Sequence, residues 1–201
     1  MAHLSAYAFV DETFRDWHPS QPRELGYYQL TGAVLNQAAF AACRNGIAKI
    51  APGGFHATEL VHQGRESVVE TMLEHIAGTV DCTLITLTTD SQRKLEPSRQ
   101  RCLEELLVQL HAKTVTLVIA DSREAIGPDP EVHNRRDVRT FNKLQRAGAI
   151  HAQMRLRHQH DSHESLLCVP DAVGWAFRQN VLRGNARYWD VVKAQSTVFQ
   201  V

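Results

Sequence analysis

Hydrophobic and polar positions along the chain follow two rhythms, short apolar runs and helix-spaced stripes. Ser5–Val10 is a brief apolar, aromatic run that stops at Asp11-Glu12; its length predicts a buried strand. Asp11–Gly26 is charged and contains Pro19 and Pro22, which predicts a long loop. Tyr27–Leu35 reads as a second strand, and two strands joined without a helix are most simply antiparallel. Gln37–Ile50 is Ala-rich and predicted helical, broken by Pro52-Gly53-Gly54. Arg65–Ala77 places Val68, Val69, Met72, Leu73 and Ile76 on one helical face, with Gly78 where a C-terminal glycine belongs.

The second half repeats the pattern. Val80–Thr88 is a strand by its Thr, Leu and Ile content. Pro97–Ala112 is an amphipathic helix whose Pro97 sits in the first turn, where a missing N–H costs little. Thr114–Ala120 is a β-branched strand ending at Asp121. Helices between these strands predict parallel strands joined by crossovers. Asn134–Ala147 is predicted helical, the alternation of Ile150, Ala152, Met154 and Leu156 suggests an edge strand or ribbon, and Pro170-Asp171 opens a last helix over Ala172–Arg183. The expectation is an α/β fold with a mixed sheet.

Composition narrows the class. At 201 residues with a 43% hydrophobic share the chain can bury an ordinary core. Lys+Arg and Asp+Glu are 22 each, which argues against a basic coat of nucleic acid and against an acidic disordered chain. The balance is uneven along the chain, with 10 basic and 13 acidic side chains in residues 1–120 and 12 against 9 in 121–201. No run approaches the ~18 apolar residues of a membrane span. The N-terminus has neither a basic start nor a long apolar stretch, so a cytoplasmic protein without a signal peptide is expected. The four cysteines, far apart and without a C-x-x-C pair, read as thiols.

Candidate chemistry lies at the strand ends. Asp11, Asp90 and Asp121 follow apolar runs, and Asp171 opens the last helix. In an open α/β sheet the C-terminal strand ends face one crevice, so these acids converge if the strands are parallel. Converging carboxylates repel one another unless a divalent cation neutralises them, and oxygen donors suit Mg2+ or Mn2+. Each aspartate taken singly also fits a turn or helix cap, Asp171 above all.

The order of short motifs resembles a large bacterial and phage family of unknown function grouped with the ribonuclease H-like fold. The residues that carry it are the strand ending in Asp11-Glu12, His56-Ala57-Thr58-Glu59-Leu60 before a helix, the strand ending in Asp121, and Val169-Pro170-Asp171-Ala172-Val173. The resemblance runs from about Tyr7 to Phe177. It implies a ribonuclease H-like mixed sheet, antiparallel first strands then parallel ones, over one domain spanning 1–201 with a basic subregion at about 127–165. It implies a metal-dependent acidic site with Asp11 central, Asp121 and Asp171 completing it, Glu59 contributing, and Asp90 as an alternative or companion to Asp121. The chain departs from the family pattern with Thr13 in place of Ser, Pro170 in place of Ala, and Val61 in place of Lys.

Two clusters remain. Arg135, Arg136, Arg139, Lys143, Arg146, Arg155 and Arg157 stand against one acid, Asp137, and could hold phosphates beside the acidic site; a solvated helix face and a charge-protected edge strand explain them equally. His158, His160 and His163 could suit a transition metal, though an exposed polar loop accounts for the same residues. His56, three residues before Glu59, could carry a proton. There is no phosphate-binding glycine loop and no Gly-x-Ser-x-Gly. The functional expectation is a divalent-metal-dependent nuclease acting on DNA or RNA. The alternatives are a non-catalytic nucleic-acid- or protein-binding module of the same fold, in a mobile-element or defence setting, and an enzyme of a small phosphorylated substrate. The oligomeric state is not encoded legibly.

Overall fold

The computed structural model describes residues 6–15, 27–89, 95–123, 129 and 131–201, apart from the side chain of Arg15. Asp90 therefore lies outside the described residues, as does most of the loop expected at Asp11–Gly26. The described residues build one six-stranded sheet from β1 (Ala6–Arg15), β2 (Tyr27–Asn36), β3 (Cys82–Thr88), β4 (Val115–Asp121), β5 (Arg155–Gln159) and β6 (Ser196–Gln200), in the order β5-β4-β1-β2-β3-β6. β1 pairs antiparallel with β2 and β2 antiparallel with β3, whereas β1–β4, β4–β5 and β3–β6 are parallel. β2 is thus the one reversed strand among them. β3 and β4 run in the same direction as expected, but they are not neighbours, since β1 and β2 lie between them.

The helices are α1 (Ala39–Ile50), α2 (Ala57–His62), α3 (Glu66–Thr79), α4 (Leu95–Ala112), α5 (Val132–Arg146), α6 (Cys168–Arg183) and α7 (Trp189–Val192). They divide into two layers because side chains on a strand alternate between faces. Phe9, Ala33, Leu35, Ile85 and Ile119 pack with α1, α2, α3, α6 and α7. Ala8, Val10, Leu30, Leu84 and Val118 pack with α4 and α5. Helix spacing sets which residues meet the sheet: Val69, Met72, Leu73 and Ile76 of α3 are buried, as are Cys102, Leu103, Leu106, Leu107 and Leu110 of α4. α6 is buried nearly all round and lies across β1 and β2; it stops at Gly184, whose φ of 66° suits glycine.

Several elements differ from the sequence reading. β1 continues through Arg15, because Asp11–Arg15 pair with Tyr27–Thr31, so Asp11 lies within the strand. α6 begins at Cys168, after a 3-10 turn at Ser165–Leu167, and Asp171 is inside its first turn rather than at its cap. α3 runs through Thr79 and takes Gly78 into its last turn. The alternating segment from Ile150 becomes a strand only at Arg155. α7 and β6 had no sequence counterpart. Cys43 and Cys102 are buried free thiols, and Cys82 and Cys168 are half-buried free thiols. No helix among the described residues is long and apolar enough to cross a membrane.

Candidate active site

Two parallel strands place the first two acids. The β1–β4 register pairs Val10 with Ala120, so Asp11 and Asp121 follow on neighbouring strands. Both fall on the face covered by α6, by alternation from Phe9 and Ile119. α6 supplies the third acid, Asp171. Its carboxylate accepts the Ala57 N–H at 3.1 Å and so satisfies the first residue of α2, whose preceding His56 provides no cap. The close seat of α6 depends on Gly174. A Cβ there would stand 2.9 Å from Thr31 Oγ1 and 3.1 Å from both Gln29 Nε2 and Thr13 Oγ1.

A fourth acid, Asp161, comes from the turn after β5. It accepts from His56 Nε2 at 3.1 Å, lies 2.8 Å from His160 Nδ1, and holds the Ser162 N–H at 2.6 Å. Asp11, Asp121, Asp161 and Asp171 line one cavity of about 760 Å³, walled on its other side by the C-terminal half of α1 and the turn that follows. Sequence reasoning missed Asp161, because a short polar stretch such as His160–Ser165 reads as a solvated loop.

The carboxylates disturb one another. Burial, then the charges of Asp171 and Asp121, raise the Asp11 carboxyl well above its ordinary value. Burial pushes Asp171 up to about 6, against the opposing hydrogen bond from Ala57 and the nearby His56, with Asp121 and Asp161 adding to the rise. Asp121 is raised by burial and then by Asp161. The donor set is all hard oxygen carrying uncompensated negative charge, which suits a divalent cation in kind. As the side chains stand, no group of three or more His, Cys, Asp or Glu among the described residues is disposed around a single ion.

Glu59 is exposed on α2 and does not line this cavity. Glu12, next to Asp11, points to the opposite face. There it meets Arg99 and the Tyr28 hydroxyl. Arg99, 3% exposed, donates Nε and Nη2 to the Asp137 carboxylate at 3.0 and 2.6 Å, and Arg123 and His158 reach the same carboxylate at 3.1 and 3.2 Å. Burial would raise Asp137, but hydrogen bonds from His158 and Arg99 and the charges of Arg99 and Arg123 hold it far below the usual carboxylate range. This network ties β1, β2, α4, α5 and β5 together behind the cavity.

The basic residues of α5 lie on that same far layer, not alongside the acids. Arg135, Arg136, Arg139, Lys143 and Arg146 are exposed, while Asn134, Asp137, Thr140 and Phe141 face inward. Arg135 pairs with Asp129, Arg136 with Glu96 and Lys143 with Glu104. The histidines separate as well, with His158 on Asp137 and His160 beside Asp161.

The strand order, the single reversed strand and the two helical layers define a ribonuclease H-like α/β fold. Among solved structures, the chain is similar to the crystal structure of the ribonuclease H2 from Pyrococcus horikoshii OT3. The TM-score is 0.58 at 13% identity, covering 89% of this chain and 74% of that one. No family model and no curated protein sequence matches the chain.

Proposed function

We propose that the protein is a divalent-metal-dependent phosphodiesterase acting on DNA or RNA. The observation that carries this reading is the cavity at the strand ends, lined by Asp11, Asp121 and Asp171, where the charges of Asp171 and Asp121 add to burial in raising the Asp11 carboxyl. The ribonuclease H-like fold and the nuclease named in its solved neighbour support it. Asp11, Asp121 and Asp171 would hold Mg2+ or Mn2+. A bound divalent ion neutralises the carboxylates and favours attack of water on phosphorus. Asp11 would be the central ligand, Asp171 also anchors α2, and Asp161 would orient His56 at the cavity wall to move a proton. In the hydrolysis, water oxygen bonds to phosphorus, the P–O bond to the leaving nucleoside breaks, and the proton from water ends on the leaving oxygen.

The test is hydrolysis of end-labelled single- and double-stranded DNA and RNA with Mg2+ or Mn2+. Asp11→Asn should reduce the rate by at least ~100-fold, since it removes a charged ligand from the reacting centre. Undiminished hydrolysis by that variant would sink the assignment.

A second reading is a non-catalytic nucleic-acid-binding module. It is favoured by the exposed row Arg135, Arg136, Arg139, Lys143 and Arg146, of which Arg139 and Arg146 have no ion-pair partner among the described residues.

A further inference from the structure

The wall of the cavity also contains a cation that the catalytic reading does not use. Arg44 lies on α1 and lines the cavity. Its Nη2 donates to both oxygens of Glu164, at 2.8 and 2.6 Å. The Glu164 side chain is only 8% exposed, whereas that of Arg44 is 46% exposed. Glu164 is itself fixed, accepting the Leu166 N–H at 3.1 Å. A buried carboxylate therefore holds an accessible guanidinium in place. Nε and Nη1 of Arg44 have no hydrogen-bond partner among the described residues. A guanidinium pre-positioned with free N–H groups matches phosphate oxygens.

The shape of the cavity limits what brings that phosphate. Its volume of about 760 Å³ falls in the range of small-ligand sites. Asp11, Asp121, Asp161 and Asp171 line the same cavity. Ile47, Ala51 and Phe55 add an apolar wall to the same cavity. Carboxylates, an apolar wall and an anion-binding guanidinium within one cavity of this size suit one nucleotide unit.

We propose that the cavity takes a single terminal nucleotide whose phosphate monoester is bound by Arg44, so that hydrolysis proceeds from a strand end. The strand-end clause rests on the phosphodiesterase reading; the phosphate subsite does not.

The test has two arms on the full chain. In the first, isothermal titration in Mg2+ buffer measures adenosine 5′-monophosphate and adenosine. The monophosphate should bind more tightly, and Arg44→Gln should weaken it about ten-fold or more while leaving adenosine unchanged, as loss of a charge-assisted contact requires. Ala48→Glu, one turn along the same exposed helix wall, adds a competing carboxylate and should weaken the monophosphate likewise. Equal affinities of wild type and both variants, or equal affinities for monophosphate and nucleoside, overturn the subsite. In the second arm, linear and covalently closed single-stranded DNA and RNA are compared. Closed circles should resist hydrolysis. Circles cut as fast as linear strands overturn strand-end action while leaving the phosphodiesterase reading intact. Arg44-dependent binding of the monophosphate without hydrolysis of any strand leaves the subsite and removes the phosphodiesterase reading.

Discussion

At Asp171 two demands meet on one carboxylate: it starts α2 through the Ala57 N–H, and it shares a cavity with Asp11, Asp121 and Asp161. Its folded-state pKa, about 6, is raised above the ordinary value of 3.8. The stability this proton contributes is therefore fully present below about 4 and lost as pH rises through about 6. Asp171→Asn keeps an oxygen for Ala57 and removes the charge. Scanning calorimetry should find the variant more stable than wild type at pH 8 by about 1–2 kcal/mol, a Tm rise of a few degrees. The gap should close towards pH 4, and a pH-independent gap would contradict the repulsion. Strand-end acids such as Asp11 and Asp121 were visible in the sequence because each follows an apolar run. Asp161 and Arg99 were not. Arg99 sits among polar neighbours on a helix, and its partners Glu12 and Asp137 are distant in sequence, so its burial could not be read locally.

Among the elements, α6 decides the spacing of the site. The polar patch beneath it, Gln29 and Thr31, is fully buried and joined by a 2.7 Å hydrogen bond from Gln29 Nε2 to Thr31 Oγ1. Gly174 lets the helix lie on this patch one turn beyond Asp171. Gly174→Ala gains helix propensity but forces the helix outward. We expect a net loss of about 1–2 kcal/mol in urea unfolding and reduced hydrolysis. Gly78→Ala, where an added Cβ meets nothing within 4 Å, is the control and should be neutral or stabilising by up to ~1 kcal/mol. Periodicity located α3 and α4 well, since their apolar stripes follow one face. It failed at the start of α6, where an all-round apolar stretch from Leu166 has no stripe, and at β6, where Ser196–Gln200 is short and mostly half-exposed or exposed.

Across the whole molecule, the cavity aspartates and the basic row of α5 lie on opposite layers of one sheet. The even overall charge conceals this, and only the skew between chain halves hinted at it. If α5 tracks a nucleic-acid backbone, replacing Arg136 and Arg139 by Ala should weaken binding across sequences and lower the slope of log K against log[salt] by roughly two. An unchanged slope, measured by fluorescence anisotropy, would leave α5 as a solvated face. The parallel strands and their crossovers were readable from the alternation of elements, but the neighbours were not: β3 lies between β2 and β6. That last pairing joins Thr83 to Ser196 across 113 residues. β1, β2 and β3 all come from the first 88 residues and can pair before β6 is in place. During refolding the outer edge of β3 is then open to strands of other chains, so the yield of soluble protein should depend on concentration more than the stability of the finished sheet suggests.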